Sequence, residues 1–162
     1  MNQQSRPESA PEIETRLGEI GLQNFAPYLM NRIMGRYNAS LRAEMAGVGL
    51  STPKMRALAV LSVLDGLQIR QLAVYAVVEQ STLSRSLDAL EAEGLIRRSP
   101  DPADNRASRV HITEAGRAAF EAVWPTMAQN YARMFAGIPV AERSAFVGTL
   151  QKILHNIRKH DF

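Results

Sequence analysis

Two neighbouring groups of side chains between Glu79 and Thr113 have the chemistry to hold a nucleic acid. The first is Gln80, Ser81, Thr82, Ser84 and Arg85: short amide and hydroxyl groups with one long cation. Such groups hydrogen-bond to base edges or phosphate oxygens, and an arginine fork matches guanine. The second is Arg97, Arg98, Arg106 and Arg109, set against only Asp101 and Asp104. A concentration of positive charge of this kind is what a phosphate backbone rewards. Charge alone fits a solvated basic hairpin equally well, and the polar helix fits an ordinary surface helix. The elements that carry the residues decide between these readings.

Leu83, Leu87 and Leu90 recur at i, i+4 and i+7, so the spacing predicts a helix over about 80–93, ended by Gly94. With those leucines inward, Ser81, Arg85 and Asp88 lie on the opposite face, flanked by Gln80, Thr82 and Ser84. Residues 95–98 and 108–112 have strand character, Val110 and Ile112 alternating with Arg109 and His111. Between them SPDPADNRA reads as an exposed loop, too long for a tight turn. An arginine on a protruding hairpin suits a narrow minor groove, so Arg106 is set apart from Arg97, Arg98 and Arg109, which would lie along phosphates. The Asp104 carboxylate is expected to hold the Arg106 side chain extended.

Before this pair, a helical turn or two around Ile13 to Ile20 precedes a long amphipathic helix. That helix is N-capped by Asn24 and carries Leu29, Ile33, Tyr37, Leu41 and Met45 on one stripe. Ser51 caps the next helix, with Pro53 in its first turn, and Asp65-Gly66 stops it. A short helix follows over about 69–75. After the hairpin, Thr113 caps a helix reaching toward Gly137, in which Pro125 must kink the helix or break a backbone bond. A last helix bears Phe146, Leu150, Ile153, Leu154 and Ile157 and ends in Arg158, Lys159 and His160. The fold class is mainly α with a small β-hairpin: a winged helix-turn-helix with flanking helices.

The bulk numbers exclude several alternatives. At 162 residues and 46 % hydrophobic, the chain supports one domain with a core. No apolar run approaches the ~18 residues a membrane span needs. The opening residues lack the order of a signal peptide, which makes the cytoplasm the expected location. With no cysteine there is no disulfide framework or thiol switch. His111, His155 and His160 are not at metal-ligand spacing, and no convergent titratable groups suggest catalysis. No cofactor, metal or catalytic residue is expected. Net charge is only +3, so the arrangement of the charges says more than their sum.

The segment from Leu50 to Phe120 resembles the DNA-binding core of the MarR family of bacterial transcription regulators. The resemblance rests on Leu50-Ser51, Leu72-Ala73, Ser81-Thr82-Leu83-Ser84-Arg85, and the Leu-Glu-x-x-Gly-Leu-Ile ending at Ile96. It continues through Asp104-x-Arg106 and His111-Ile112-Thr113-Glu114-x-Gly116. Glu79-Gln80 before Ser-Thr-Leu is similar to the SlyA-like branch. The resemblance implies a homodimer on a palindromic operator in double-stranded DNA. Ser81, Thr82, Ser84 and Arg85 would be in the major groove and Arg106 in the minor groove. Residues 24–162 would form one domain, with 24–49 and 114–162 as dimerisation helices around a winged helix-turn-helix at 50–113, after a polar tail at 1–23. A small aromatic or phenolic effector would meet Tyr28, Arg32, Tyr37 and Met55, with Trp124 nearby. Two departures stand out. Val77 occupies a turn position where the family often has glycine, which argues against a positive φ there. Ala107 stands where a second basic residue often follows Arg106. The rival reading is a winged-helix module for protein contacts or ligand binding with weak DNA affinity.

Overall fold

The computed structural model describes residues 16–160. Most of the expected N-terminal tail, and the Ile13 end of its helical turn, lie outside the described residues. The chain divides into two compact units, residues 1–38 and 39–162.

In the first unit, helix α1 (Leu17–Ile20) is followed by a 3-10 turn, Leu22–Asn24. Asn24 does not cap the long helix. Its amide donates back to the Ile20 carbonyl at 2.9 Å, and helix α2 (Ala26–Met45) starts two residues later. The α2 residues belonging to this unit expose Leu29, Ile33 and Met34 despite their regular spacing.

The second unit begins within α2, where Leu41 and Met45 are buried. It continues through α3 (Thr52–Leu61), β1 (Leu67–Gln68), α4 (Ile69–Ala76) and α5 (Gln80–Ala92). Strands β2 (Ile96–Asp101) and β3 (Asp104–Ile112) lead to α6 (Glu114–Met134) and α7 (Val140–Ile157). Leu58, Leu61, Leu72, Leu83, Leu87, Leu90 and Val110 have no solvent exposure and form the centre of the core. At about 25 cal/mol per Å2, burying apolar surface on this scale is what fixes the helix faces. Ser51 sits at the N-cap of α3 without a side-chain cap bond, whereas Thr113 accepts from the Gly116 amide at 3.0 Å as expected.

The sheet differs from the expected two-stranded hairpin in two ways. A third, two-residue strand joins it, giving the order β1-β3-β2, all antiparallel. The segment expected to be a long loop is mostly strand. Asp101 pairs with Asp104, leaving only residues 102–103 to turn the chain. The register then jumps, because Pro100 pairs with Ser108, so residues 105–107 bulge out of β3 with no counterpart on β2. Proline and aspartate clusters mark both loops and bulged edge strands, which is why composition alone misplaced this one.

The turn between α4 and α5 also departs from expectation. Val77 adopts φ 52° and ψ 53°, and it is the one described non-glycine residue with positive φ. A β-branched residue in the left-handed region is strained, its Cβ crowding the backbone. The Arg56 guanidinium donates to the Val77 carbonyl at 3.0 Å, and the Val78 amide bonds back to Ala73. These bonds hold the shape that glycine would adopt at lower cost.

Candidate nucleic-acid interface

Helix α5 presents the polar residues because its other face is fully committed. Leu83, Leu87 and Leu90 are inaccessible to solvent, and this sets the rotation of the helix. Gln80, Ser81 and Arg85 are exposed, and Thr82 and Ser84 are half-buried beside them. Arg85 lies along its own helix, its Nε 3.4 Å from the Ser81 carbonyl, so the guanidinium stays close to the N-terminal turns. The first turn carries no acidic residue, although Glu79 stands at the N-cap, where its side chain makes no cap bond.

The four wing arginines separate into two kinds. Arg98 is tied to α5, its amide 3.1 Å from Glu91 Oε1 and its guanidinium 2.8 Å from Asp88 and 3.2 Å from Glu91. Arg109 lies 3.1 Å from Asp101 and donates to the Gly66 carbonyl at 2.9 Å. The guanidinium groups of both are therefore engaged in bonds that hold the wing. Arg97 and Arg106 are exposed. Arg106 stands in the bulge. Asp104 steadies it through its backbone, accepting from the Arg106 amide at 3.0 Å, and makes no ion pair with its side chain among those described.

Asp101, expected on an exposed loop, has 0 % solvent exposure. Gln68 Nε2 donates to it at 2.6 Å and the Ala103 amide at 2.8 Å. The Gln68 hydrogen bond, followed by that of Ala103, holds the carboxyl below the usual carboxylate range against the opposing effect of burial, with Arg109 adding to them. At the other end of β3, Asp65 accepts from the Ile112 amide at 2.8 Å and lies 3.3 Å from His111 Nδ1. His111 Nε2 is in turn 3.0 Å from Ser99. Gly116 completes the base of the wing: a Cβ there would lie 2.0 Å from the Leu95 carbonyl oxygen. The Thr-Glu-x-Gly motif is thus a close-approach requirement.

A groove of about 340 Å3 separates wing from helix, lined by Gln68, Arg70, Gln80, Asp104, Arg106 and Ser108 among others. It brings Gln80 and Arg106 together. It also adds Arg70, an exposed residue of the first turn of α4 that sequence reasoning passed over. An isolated arginine opening a short helix gave no signal of its position.

The residues expected to meet an effector are placed as follows. Arg32 donates to the Tyr28 hydroxyl at 3.0 Å with its guanidinium over the Tyr28 ring, and this hydrogen bond holds the guanidinium pKa above its ordinary value. Tyr37 is half-buried, which pushes its hydroxyl pKa up. Met55 lies in the core, and Trp124 is exposed. Among the described residues no group of three or more metal-ligating side chains occurs, and no helix is long and apolar enough to cross a membrane.

Comparison with known proteins agrees with the geometry. A sequence model of the MarR family matches residues 50–108, the stretch from α3 to the wing. A curated relative, the HTH-type transcriptional repressor IacR of Pseudomonas putida, is 25 % identical over 139 residues, covering 86 % of this chain and 83 % of the relative. The solved structure of BpsR from Bordetella bronchiseptica, a protein described as regulated in its DNA binding by 6-hydroxynicotinic acid, is 27 % identical. It matches with TM-score 0.68 over 79 % of this chain and 97 % of that one. A MarR family transcriptional regulator from Silicibacter pomeroyi is 60 % identical, with TM-score 0.87 over 91 % of this chain and 100 % of its own. With that identity across the whole of a solved relative, and the helix and wing both in place, this chain belongs to the MarR family of DNA-binding transcriptional regulators.

Proposed function

We propose that the protein is a sequence-specific regulator that binds a palindromic operator as a homodimer and releases or retains it in response to a small aromatic or phenolic effector. One observation carries the reading. Helix α5 is locked on one face by three fully buried leucines while Gln80, Ser81 and Arg85 face outward, beside a wing whose Arg106 protrudes from a bulge. On this reading Ser81, Thr82, Ser84 and Arg85 contact the major groove near the helix N-terminus, with Gln80 at its edge. Arg106 enters the minor groove, and Arg97 lies along phosphate. Arg98 and Arg109 act indirectly by fixing the wing.

Dimerisation is supported by apolar side chains that the single chain leaves exposed. These are Ile33 and Met34 on α2, Trp124 and Tyr131 on α6, and Phe146 and Val147 on α7. Large apolar side chains on three long helices are a common mark of a protein interface. Residues 24–162 then work as one functional domain, with 24–49 and 114–162 serving the dimer and 50–113 the DNA. An effector with an anionic group suits Arg32 beside Tyr28, with Tyr37 a further contact, and the effector named for BpsR is a small aromatic acid. Met55 serves the core on this reading.

The test is a gel shift on the DNA flanking the protein's own gene. Arg85→Ala should lower operator affinity by about 1–3 kcal/mol and relax discrimination at one base pair in each half-site. Equal weakening on operator and unrelated DNA would reduce Arg85 to a phosphate contact. Sedimentation at twice the chain mass, abolished on charging Trp124 or Phe146, tests the dimer.

A further inference from the structure

Two grooves meet at Arg70 and Gln80. One runs to the wing and contains Arg106. The other, about 600 Å3, runs the opposite way past Val74, Val77, Val78 and Glu79 to His160. It continues into a third hollow of about 560 Å3, where Val74, Tyr75 and Val77 face Leu154 and His155 of α7 and Arg158 and Lys159 just beyond it. His160 therefore shares a hollow with Glu79 and Gln80 at the start of the recognition helix, and Arg158 and Lys159 lie beside the end of α4 and the Val77 turn that lead into it. Arg158 and Lys159 are exposed there, and no acidic side chain lines that third hollow. A basic segment beside the entry of a major-groove helix meets the phosphates flanking the bases being read.

We infer that Arg158 and Lys159 form a second phosphate-contacting element, which with the wing brackets the recognition helix. The inference rests on the DNA-binding reading above and adds to it a surface that the wing and helix do not include. Its partner is the sugar-phosphate backbone, so this element strengthens binding to every duplex and specifies none. Arg70, shared by both grooves, sits between the two elements.

The experiment measures affinity of the full chain for the duplex flanking its own gene, and for an unrelated duplex, between 50 and 200 mM salt. Lys152 of α7, exposed and outside these grooves, provides the control, because Lys152→Ala removes charge from the same helix. R158A/K159A should flatten the plot of log affinity against log salt by about 0.9 for each phosphate the chain no longer neutralises. It should weaken both duplexes alike and leave their ratio unchanged, while K152A leaves the slope as in the wild type. If the alanine variant melts early, R158Q/K159Q is read in the same way. A slope for the double variant equal to that of K152A overturns the inference while leaving the DNA reading intact, provided R106A still weakens binding. A wild-type chain that binds neither duplex overturns both.

Discussion

Leu83, Leu87 and Leu90, three side chains with no solvent exposure, hold the recognition helix; Asp101, Arg109, Arg98 and Asp65, four charged groups, hold the wing. Both elements face the same groove, yet the helix is positioned by apolar burial alone along its inner face, whereas the wing adds directed polar bonds to the burial of Ile96, Val110 and Ile112 at its base. Burial is non-directional and depends on area, so it fixes which face of a rod points inward and tolerates small shifts. Polar bonds fix distances and angles, which a two-stranded flap with little core of its own requires. The contrast predicts that damage to the helix is read in global stability, and damage to the exposed wing side chains in binding.

The largest effect should come from Leu87→Ala. Removing a fully buried leucine costs about 2–5 kcal/mol, including the cavity left behind. Denaturant unfolding should show a lower midpoint, and DNA affinity should fall only where the folded population does. A destabilisation below about 1 kcal/mol would mean that α5 is not held by its leucines, and the comparison would fail on the helix side.

Arg106→Ala is the converse. The side chain is exposed and only its backbone amide is bonded, so melting should be unchanged. Operator affinity should drop by about 1–3 kcal/mol, most on sequences with a narrow minor groove. Unchanged affinity in a binding titration would remove the bulge from the interface.

The same contrast explains what the sequence made legible. Apolar residues at helical spacing announce their own partners, so the helices, their order and the inward face of α5 were readable from Leu83, Leu87 and Leu90. The polar network was not. Asp101 meets Gln68 across 33 positions and Asp65 bonds Ile112 across 47, and no periodicity connects such pairs. Asp101 in SPDPADNRA has the composition of a loop, and only its partners make it a buried anchor. Arg109 and Arg98 looked like Arg106 for the same reason: a charge in sequence does not show whether its counterion is already in the fold. Binding experiments decide which of the exposed residues touch DNA.

Val77 lies between the two regimes, on the turn that aims the helix. Its left-handed backbone costs a β-branched residue about 1–2 kcal/mol, and the extra chain entropy of glycine returns part of this. Val77→Gly should therefore stabilise the protein by about 1 kcal/mol, seen as a higher denaturant midpoint with unchanged m-value. At 76 % exposure the valine side chain contributes little packing to offset the gain. A destabilised V77G would show that the turn is not strained in solution.

The smallest expected effect probes the wing's polar anchor by pH. Asp101 has a lowered carboxyl pKa in the fold, with the Gln68 hydrogen bond as the leading cause. The unfolded chain then binds the proton more readily than the folded one, so stability rises with pH through this range. The contribution is complete above the unfolded value of about 4 and is lost as pH falls through the lower folded value. Asp101→Asn retains an acceptor for Gln68 or Ala103 but loses the charge that faces Arg109. The variant should melt below the wild type at a pH of about 6 to 7, and the gap between them should narrow steadily as the pH is lowered toward about 3. A gap that stays constant over that range would mean the carboxylate serves by shape alone, and the division between an apolar helix anchor and a charged wing anchor would have to be redrawn.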